Sequence, residues 1–312
     1  MPVATESTAS FRDPRVLFPF LLVTLIWSST WIVIKGQLGA VPPVWSVSYR
    51  FLISGVVMIA IAAIRGESLR LRRGGYVLAV LLGTFQFVVN YNFVYASEQT
   101  ITSGLAAVVF ALLVVPNAIL ARIFFGERVS GSFVLGSAVA MAGVALLFAQ
   151  EMRQSTASTH GVLVGLAFVL VAVLAASISN VMQLMPAIRS RPVAAMLGWA
   201  MLYGGAINGL FAWFHFGPPT VEPTWTYLGG LLYLSVIASA LAFFLYYGII
   251  RAIGAAKAAY SSVLIPIVAM AISTVMEGYR WSPLAAGGGL LAIAGLLIAL
   301  RAGKPPATTP TD

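Results

Sequence analysis

Ten stretches in which nearly every position is apolar follow one another along the chain. They lie at about 16–35, 44–64, 76–96, 102–122 and 130–149, then at 161–184, 193–216, 226–248, 255–276 and 283–301. Charge or Gly/Pro punctuation bounds each of them, as between Pro186 and Pro192 or between Gly217 and Pro223. A hydrocarbon core takes roughly 20 residues of helix to cross, and only a helix or a closed barrel satisfies its backbone there. The pattern therefore predicts ten membrane-spanning helices. The first run carries no clear small-residue cleavage site and leads into a second span, so it reads as a retained helix.

Composition agrees with that reading and removes most others. Of 312 residues, 60% are hydrophobic and 9% charged, with a mean hydropathy of +0.96. Soluble domains carry about 25% charge, so a water-soluble globule is excluded and no room is left for a large extramembrane domain. The chain contains no cysteine, which removes disulfides, thiolate zinc sites and haem-thioether attachment. Its formal charge of +9 is spread among the connections, a pattern that argues against a nucleic-acid partner. The lipid bilayer and a small-molecule solute are the expected partners, and a homodimer is left open.

The basic residues orient the helices. With the amino terminus inside, every Lys and Arg falls on the cytoplasmic side except Lys35, Arg153, Arg280 and Arg50, the last of which lies within the second span. That is the asymmetry of the positive-inside rule, and an even number of spans leaves both termini cytoplasmic. The expected organisation is an N-terminal tail over 1–15, a five-helix unit over 16–149, an external connection over 150–160, a second five-helix unit over 161–301 and a C-terminal tail over 302–312.

The two halves share a signature. Pro116 and Glu127 are eleven residues apart, as are Pro266 and Glu277, and the pairs are offset by 150, as are Gly104 and Gly254. A Gly/Ala-rich span follows each pair. Because each half holds an odd number of spans, the second enters the membrane in the opposite sense. The fold expected is thus an all-α integral membrane protein of two inverted five-helix repeats, an arrangement suited to alternating access.

Five-plus-five spans, Trp27 and Lys35 on the first, Arg50 with Phe51 on the second, and the stretch from Pro116 to Gly126 and Glu127 together resemble the EamA-type transporters of the drug/metabolite transporter superfamily. The resemblance spans nearly the whole chain. Ser28 stands where that family often has Gly after Trp, and Met276 precedes Glu277 where a Gly is expected, so no subfamily is assigned. The resemblance implies export or exchange of small organic solutes across a bacterial-type cytoplasmic membrane, without a cofactor.

Polar groups at bilayer depth are costly unless paired or wetted, so their positions mark a candidate cavity. Trp27 and Ser28 lie near the centre of the first span. Gln86, Asn90, Tyr91, Asn92 and Tyr95 form the densest polar and aromatic cluster of any run, with Gln86 and Asn90 on one face and Tyr91, Tyr95 and Glu98 on another. Asn180 and Tyr260 are the strongest candidates of the second half. The plain reading of these groups is bonding between helices, or from serine to its own backbone; the functional one is a site that stacks and hydrogen-bonds a solute. Pro116 and Pro266 each remove a backbone bond and are candidate hinges. Arg50 lies roughly 10 Å deep at 1.5 Å per residue, either as a structural tie or in a substrate or gate role.

No Asp or Glu falls near the centre of a predicted span; Glu98, Glu127 and Glu277 lie at ends. A carboxylate proton relay is not visible. Neither a P-loop, a metal-binding His pair nor a nucleophile elbow is present, so the chain reads as a secondary transporter and not an enzyme. The substrates expected are amino acids, aromatic compounds or drugs. The alternatives are an exchanger of nucleotide sugars or phosphorylated solutes, which needs several cavity cations, and a non-transporting scaffold that docks helices on faces such as Gly136 with Ala140.

Overall fold

The computed structural model describes residues 13–39, 41–101, 103–127, 129–154, 159–276 and 281–300. Among them are ten long helices: α1 (Pro14–Lys35), α2 (Pro43–Ile64), α3 (Arg73–Glu98), α4 (103–125), α5 (Gly131–Gln154), α6 (Thr159–Met182), α7 (Val193–Phe216), α8 (Trp225–Ile253), α9 (255–276) and α10 (Pro283–Leu300). Among the described residues, nine are long and apolar enough to span a bilayer. The eighteen residues of α10 reach about 27 Å at 1.5 Å each, close to the thickness of the hydrocarbon core. Glu277 and Arg280, half of the predicted repeat signature, lie outside the described residues, as do Arg128 and both chain ends.

Local chemistry sets several boundaries. Asp13 caps α1 by accepting from the Arg15 N–H, and Pro14 occupies a first-turn position where its missing donor is harmless. The fourth helix runs to Phe125, three residues past expectation, and stops at Gly126 with φ +65°. The eighth runs five residues past expectation to Ile253 and stops at Gly254 with φ +87°. Both glycines occupy backbone that L side chains rarely adopt.

Two helix pairs form the frame, and both run antiparallel. Along α2, Ser48, Leu52, Gly55 and Ile59 meet Gly209, Gly205, Leu202 and Gly198 of α7 in descending order. Along α5, Gly136 and Gly143 meet Gly295 and Gly288 of α10 in the same opposed sense, and a methyl added at Gly143 would lie 2.5 Å from the Gly288 carbonyl oxygen. Close backbone approach at small residues is how helices gain packing in lipid, where no hydrophobic force draws them together. The partners in each pair hold the same place in the two halves, so the repeats are inverted. The faces of Gly136 with Ala140 and of Gly288 with Ala292 thus pack within the chain.

The sequence pattern gave no sign of the feature that α3 and α8 share. Each widens at its middle into a π-helical segment, Thr84–Asn90 in α3 and Tyr233–Leu241 in α8. Such segments are rare and turn carbonyls out of the usual ladder. Those carbonyls find donors on other helices: Ser54 Oγ on α2 donates to Ser235 O at 2.8 Å, Trp27 Nε1 on α1 to Ala238 O at 3.1 Å, and Asn208 Nδ2 on α7 to Phe87 O at 2.8 Å. The second helix of each repeat thus holds the widened third helix of the other.

Candidate functional site

Between the repeats lies a cavity of about 80 Å³ whose wall is drawn from α1, α2, α3, α4, α6, α8 and α9. Six residues singled out from the sequence reach it: Trp27, Arg50, Gln86, Asn90, Tyr91 and Asn180. Trp27 packs edge-on to Tyr246, ring centroids 4.8 Å apart, and lies 5.2 Å from Phe243. Phe243 and Tyr246 also belong to the wall; in the eighth run Tyr246 is a weak signal and Phe243 none, because the widening of α8 just before them leaves no local mark.

Gln86 and Asn90 lie within or at the end of the α3 π segment, and both are almost fully buried. Gln86 Oε1 and Asn90 Oδ1 have no hydrogen-bond partner. A buried acceptor left without a donor is costly, so an amide serving only to tie helices together would be paired. Asn92 is such a tie, donating to Asn208 Oδ1 at 2.6 Å and to Val88 O at 2.8 Å.

Arg50 does not snorkel. It is 1% exposed, its Nε donates to Ser239 Oγ at 2.8 Å, its Nη2 to the Tyr91 hydroxyl at 3.4 Å, and its guanidinium lies 4.6 Å from the centre of the Tyr91 ring. Among the described residues no carboxylate forms an ion pair with it; the ion pair found there is Arg65 with Glu67. Its Nη1 has no partner.

The structure does not bring Ser28, Tyr95 or Tyr260 to the wall. Ser28 Oγ donates to the Thr24 carbonyl at 2.6 Å and to Ile265 O at 3.3 Å. The Tyr260 hydroxyl lies 2.8 Å from Ser137 Oγ on α5, and the Tyr95 hydroxyl donates to Gln37 Oε1 at 3.2 Å. All three are buried. Pro116 follows a 3₁₀ turn, Ala111–Leu113, which absorbs the missing backbone bond, whereas Pro266 sits inside a helix that runs unbroken over Tyr260–Met276.

The two ends of the bundle are fastened differently. At one end the cavity wall extends to Ile34 on α1 and Val94 on α3, and just beyond stands the Tyr95–Gln37 bond. Toward the other end the wall stops at Asn180 and Tyr246. Past them Arg251 donates to Arg191 O at 2.7 Å, Ile188 O at 3.2 Å and Gln183 Oε1 at 3.3 Å, while Arg189 Nη2 donates to Arg251 O at 2.9 Å. Gln37 and Gln183 each follow the first helix of their repeat, and each accepts from near the end of the third helix. The correspondence is hidden in the sequence because Gln183 falls inside the sixth apolar run and Gln37 beyond the first, and neither position reveals its partner on a distant helix.

Carboxylates flank the pathway without entering it. Glu98, expected at a helix end and thus near water, ends α3 but is only 7% exposed, with Oε2 accepting from Ser103 at 3.1 Å and Oε1 unpartnered. Glu127, beyond the end of α4, rests against Gly254; burial raises its carboxyl above the ordinary carboxylate range, with Lys257 and Arg189 opposing. Among the described residues no group of three His, Asp or Glu stands where it would hold a metal.

Comparison with known proteins bears on what such a cavity serves. Protein PagO of Salmonella typhimurium is 24% identical over 273 residues, covering 87% of this chain and 88% of that protein. The uncharacterized inner membrane transporter YedA of Escherichia coli K12 is 28% identical over 272 residues, 86% of this chain and 85% of its own. A probable amino-acid metabolite efflux pump of Salmonella typhimurium is 26% identical over 295 residues, 90% and 93% of the two chains. A solved crystal structure, 20% identical, superposes with a TM-score of 0.75 over 92% of this chain and 96% of the other, which shows the fold. The profile of the EamA-like transporter family matches residues 15–149 and 163–301, one match in each half. Matched through both repeats, the chain belongs to the EamA-like transporter family and is a multi-pass inner-membrane transporter.

Proposed function

We propose that the chain exports small amphipathic organic metabolites, of the amino-acid or aromatic kind, by alternating access between units 16–149 and 161–301, with both termini in the cytoplasm. The observation that carries this is the cavity itself. It lies at the interface of two inverted repeats, its walls are aromatic, and three of its buried polar residues, Arg50, Gln86 and Asn90, each keep an atom without a partner. Groups held dry and unpaired at bilayer depth are costly for the fold and suit a visiting solute. One cation, Arg50, reaches the wall, which favours this reading over an exchanger of phosphorylated solutes.

In this mechanism Trp27, Tyr91, Phe243 and Tyr246 stack the apolar body while Gln86, Asn90 and Asn180 bond its polar end. The Arg251 cluster and the Tyr95–Gln37 bond are the two gates, and the widened α3 and α8 carry the wall between them. The test uses purified protein in sealed liposomes loaded with amino acids, aromatic metabolites and organic cations, followed for efflux with and without an imposed pH gradient. Efflux of at least one class above protein-free liposomes is the expected result; no efflux of any class overturns the reading. Ala replacements of Trp27, Asn90, Tyr91 and Asn180 are expected to lower flux in folded protein.

A further inference from the structure

We propose that Arg50 is the receptor for a carboxylate on the transported solute, so that the site takes carboxylate-bearing solutes, above all zwitterions with an apolar or aromatic body. The inference rests on the reading of the cavity as the transport site. It begins with the guanidinium's own inventory of five N–H groups. Ser239 takes the Nε donor, Tyr91 takes one Nη2 donor at a long 3.4 Å, and the Tyr95 hydroxyl also lies within reach of the guanidinium. Both N–H groups of Nη1 are without a partner, although the side chain is 1% exposed and lines the cavity.

Its charge is equally unmatched. Glu98, an acid on the same helix as Tyr91 that feels the Arg50 charge, is engaged with Ser103, and no carboxylate oxygen stands within 4.0 Å of Arg50 among the described residues. Lys35 faces Glu98 as well, so that acid is not reserved for Arg50. The face of Tyr91 compensates the guanidinium in part. An Arg held at depth without a counter-ion remains a strong anion receptor, and its planar fork matches a carboxylate better than a point cation does.

The rest of the wall selects what the carboxylate is attached to. The free acceptors Gln86 Oε1 and Asn90 Oδ1 lie on α3, the helix that carries Tyr91. Acceptors beside a cationic donor suit an ammonium beside a carboxylate. Trp27, with Phe243 and Tyr246 packed on its ring at 5.2 and 4.8 Å, offers with them the remaining surface to an apolar body. A purely cationic solute would face Arg50 without any carboxylate in the wall to offset it.

The experiment compares four matched solutes in the liposome assay: phenylalanine, phenylalaninamide, phenethylamine and phenylacetate. Wild-type protein is expected to move phenylalanine at least tenfold faster than its amide or phenethylamine, with phenylacetate between them. In Arg50→Gln the preference for acid over amide is expected to disappear, while Arg50→Lys keeps part of it. Equal wild-type rates for acid and amide overturn the proposal whether or not the variants fold. So does efflux confined to the amine or amide, an outcome that leaves the transport reading standing, whereas absence of all efflux overturns both.

Discussion

Replacing Arg251 by Ala tests the unequal fastening of the two ends most directly. The substitution removes three donated bonds, to Arg191 O, Ile188 O and Gln183 Oε1, at 2.7 to 3.3 Å. Bonds between helices in a membrane average about 0.6 kcal/mol, so losing three of them weakens the closed end by roughly 2 kcal/mol. Since 1.4 kcal/mol corresponds to about tenfold, the ratio of open to closed states at that end should rise about thirtyfold. The chain's lack of cysteine makes the readout clean: a single Ala176→Cys probe in the cavity wall, labelled with a membrane-impermeant maleimide in vesicles of each orientation. Labelling from the Arg251 side should accelerate by an order of magnitude or more, while labelling from the Lys35 side should not increase. An unchanged rate from both sides, in protein that still folds, would refute the assignment of Arg251 to a gate.

Asn208→Ala removes the donor to Phe87 O and the acceptor for Asn92, a loss of about 1 kcal/mol for two interhelical bonds; a thermal melt in detergent should fall by a few degrees, with flux falling alongside. Glu127→Gln bears on pH. Because burial holds the folded-state pKa of Glu127 above its unfolded value, the native state binds the extra proton, and stability is lost as pH rises from the unfolded carboxylate range through the folded value. The variant should therefore melt higher than wild type at neutral pH, with the difference shrinking as pH falls toward 4.5, measured by melting curves across that range. Pro116→Ala should alter turnover more than apparent affinity, because Pro116 follows a 3₁₀ turn that a full helix would straighten, and Pro266→Ala should do so less; paired kcat and KM measurements decide, and a change confined to affinity would place the prolines in the solute's shell.

The architecture was legible because hydrophobic run length and charge placement are local quantities. The succession of apolar helices and their opposed halves followed from them. The depth of Arg50 was legible too, but its partners were not: Ser239 lies 189 positions away. The π segments left no local mark because the groups that hold them open, Trp27, Ser54 and Asn208, sit on helices remote in sequence. Helical spacing grouped Tyr95 with Tyr91, and both stand on the regular helix Tyr91–Glu98, yet only Tyr91 lines the cavity while the Tyr95 hydroxyl is turned to Gln37. Tyr260 misled for a simpler reason: a Tyr in an apolar run needs one polar neighbour, and Ser137 on α5 supplied it outside the cavity wall. Glu98 showed the converse, a residue at the end of a run that the fold nonetheless encloses.

A carrier built from two identical halves would rest equally often with either mouth open, and solute would meet the same affinity from both sides. Here the two mouths of the cavity are bounded by unlike contacts, a tyrosine–glutamine bond at one and an arginine with three acceptors at the other. If these contacts act as the proposed gates, the resting population is tilted toward molecules shut at the arginine end. Solute arriving from the glutamine–tyrosine side finds most sites ready, while solute from the other side binds as though diluted by the scarcity of the receptive form. Such a tilt performs no work and reverses no gradient. It sets the concentration at which each compartment saturates the carrier, so two numerically equal pools need not compete equally for passage.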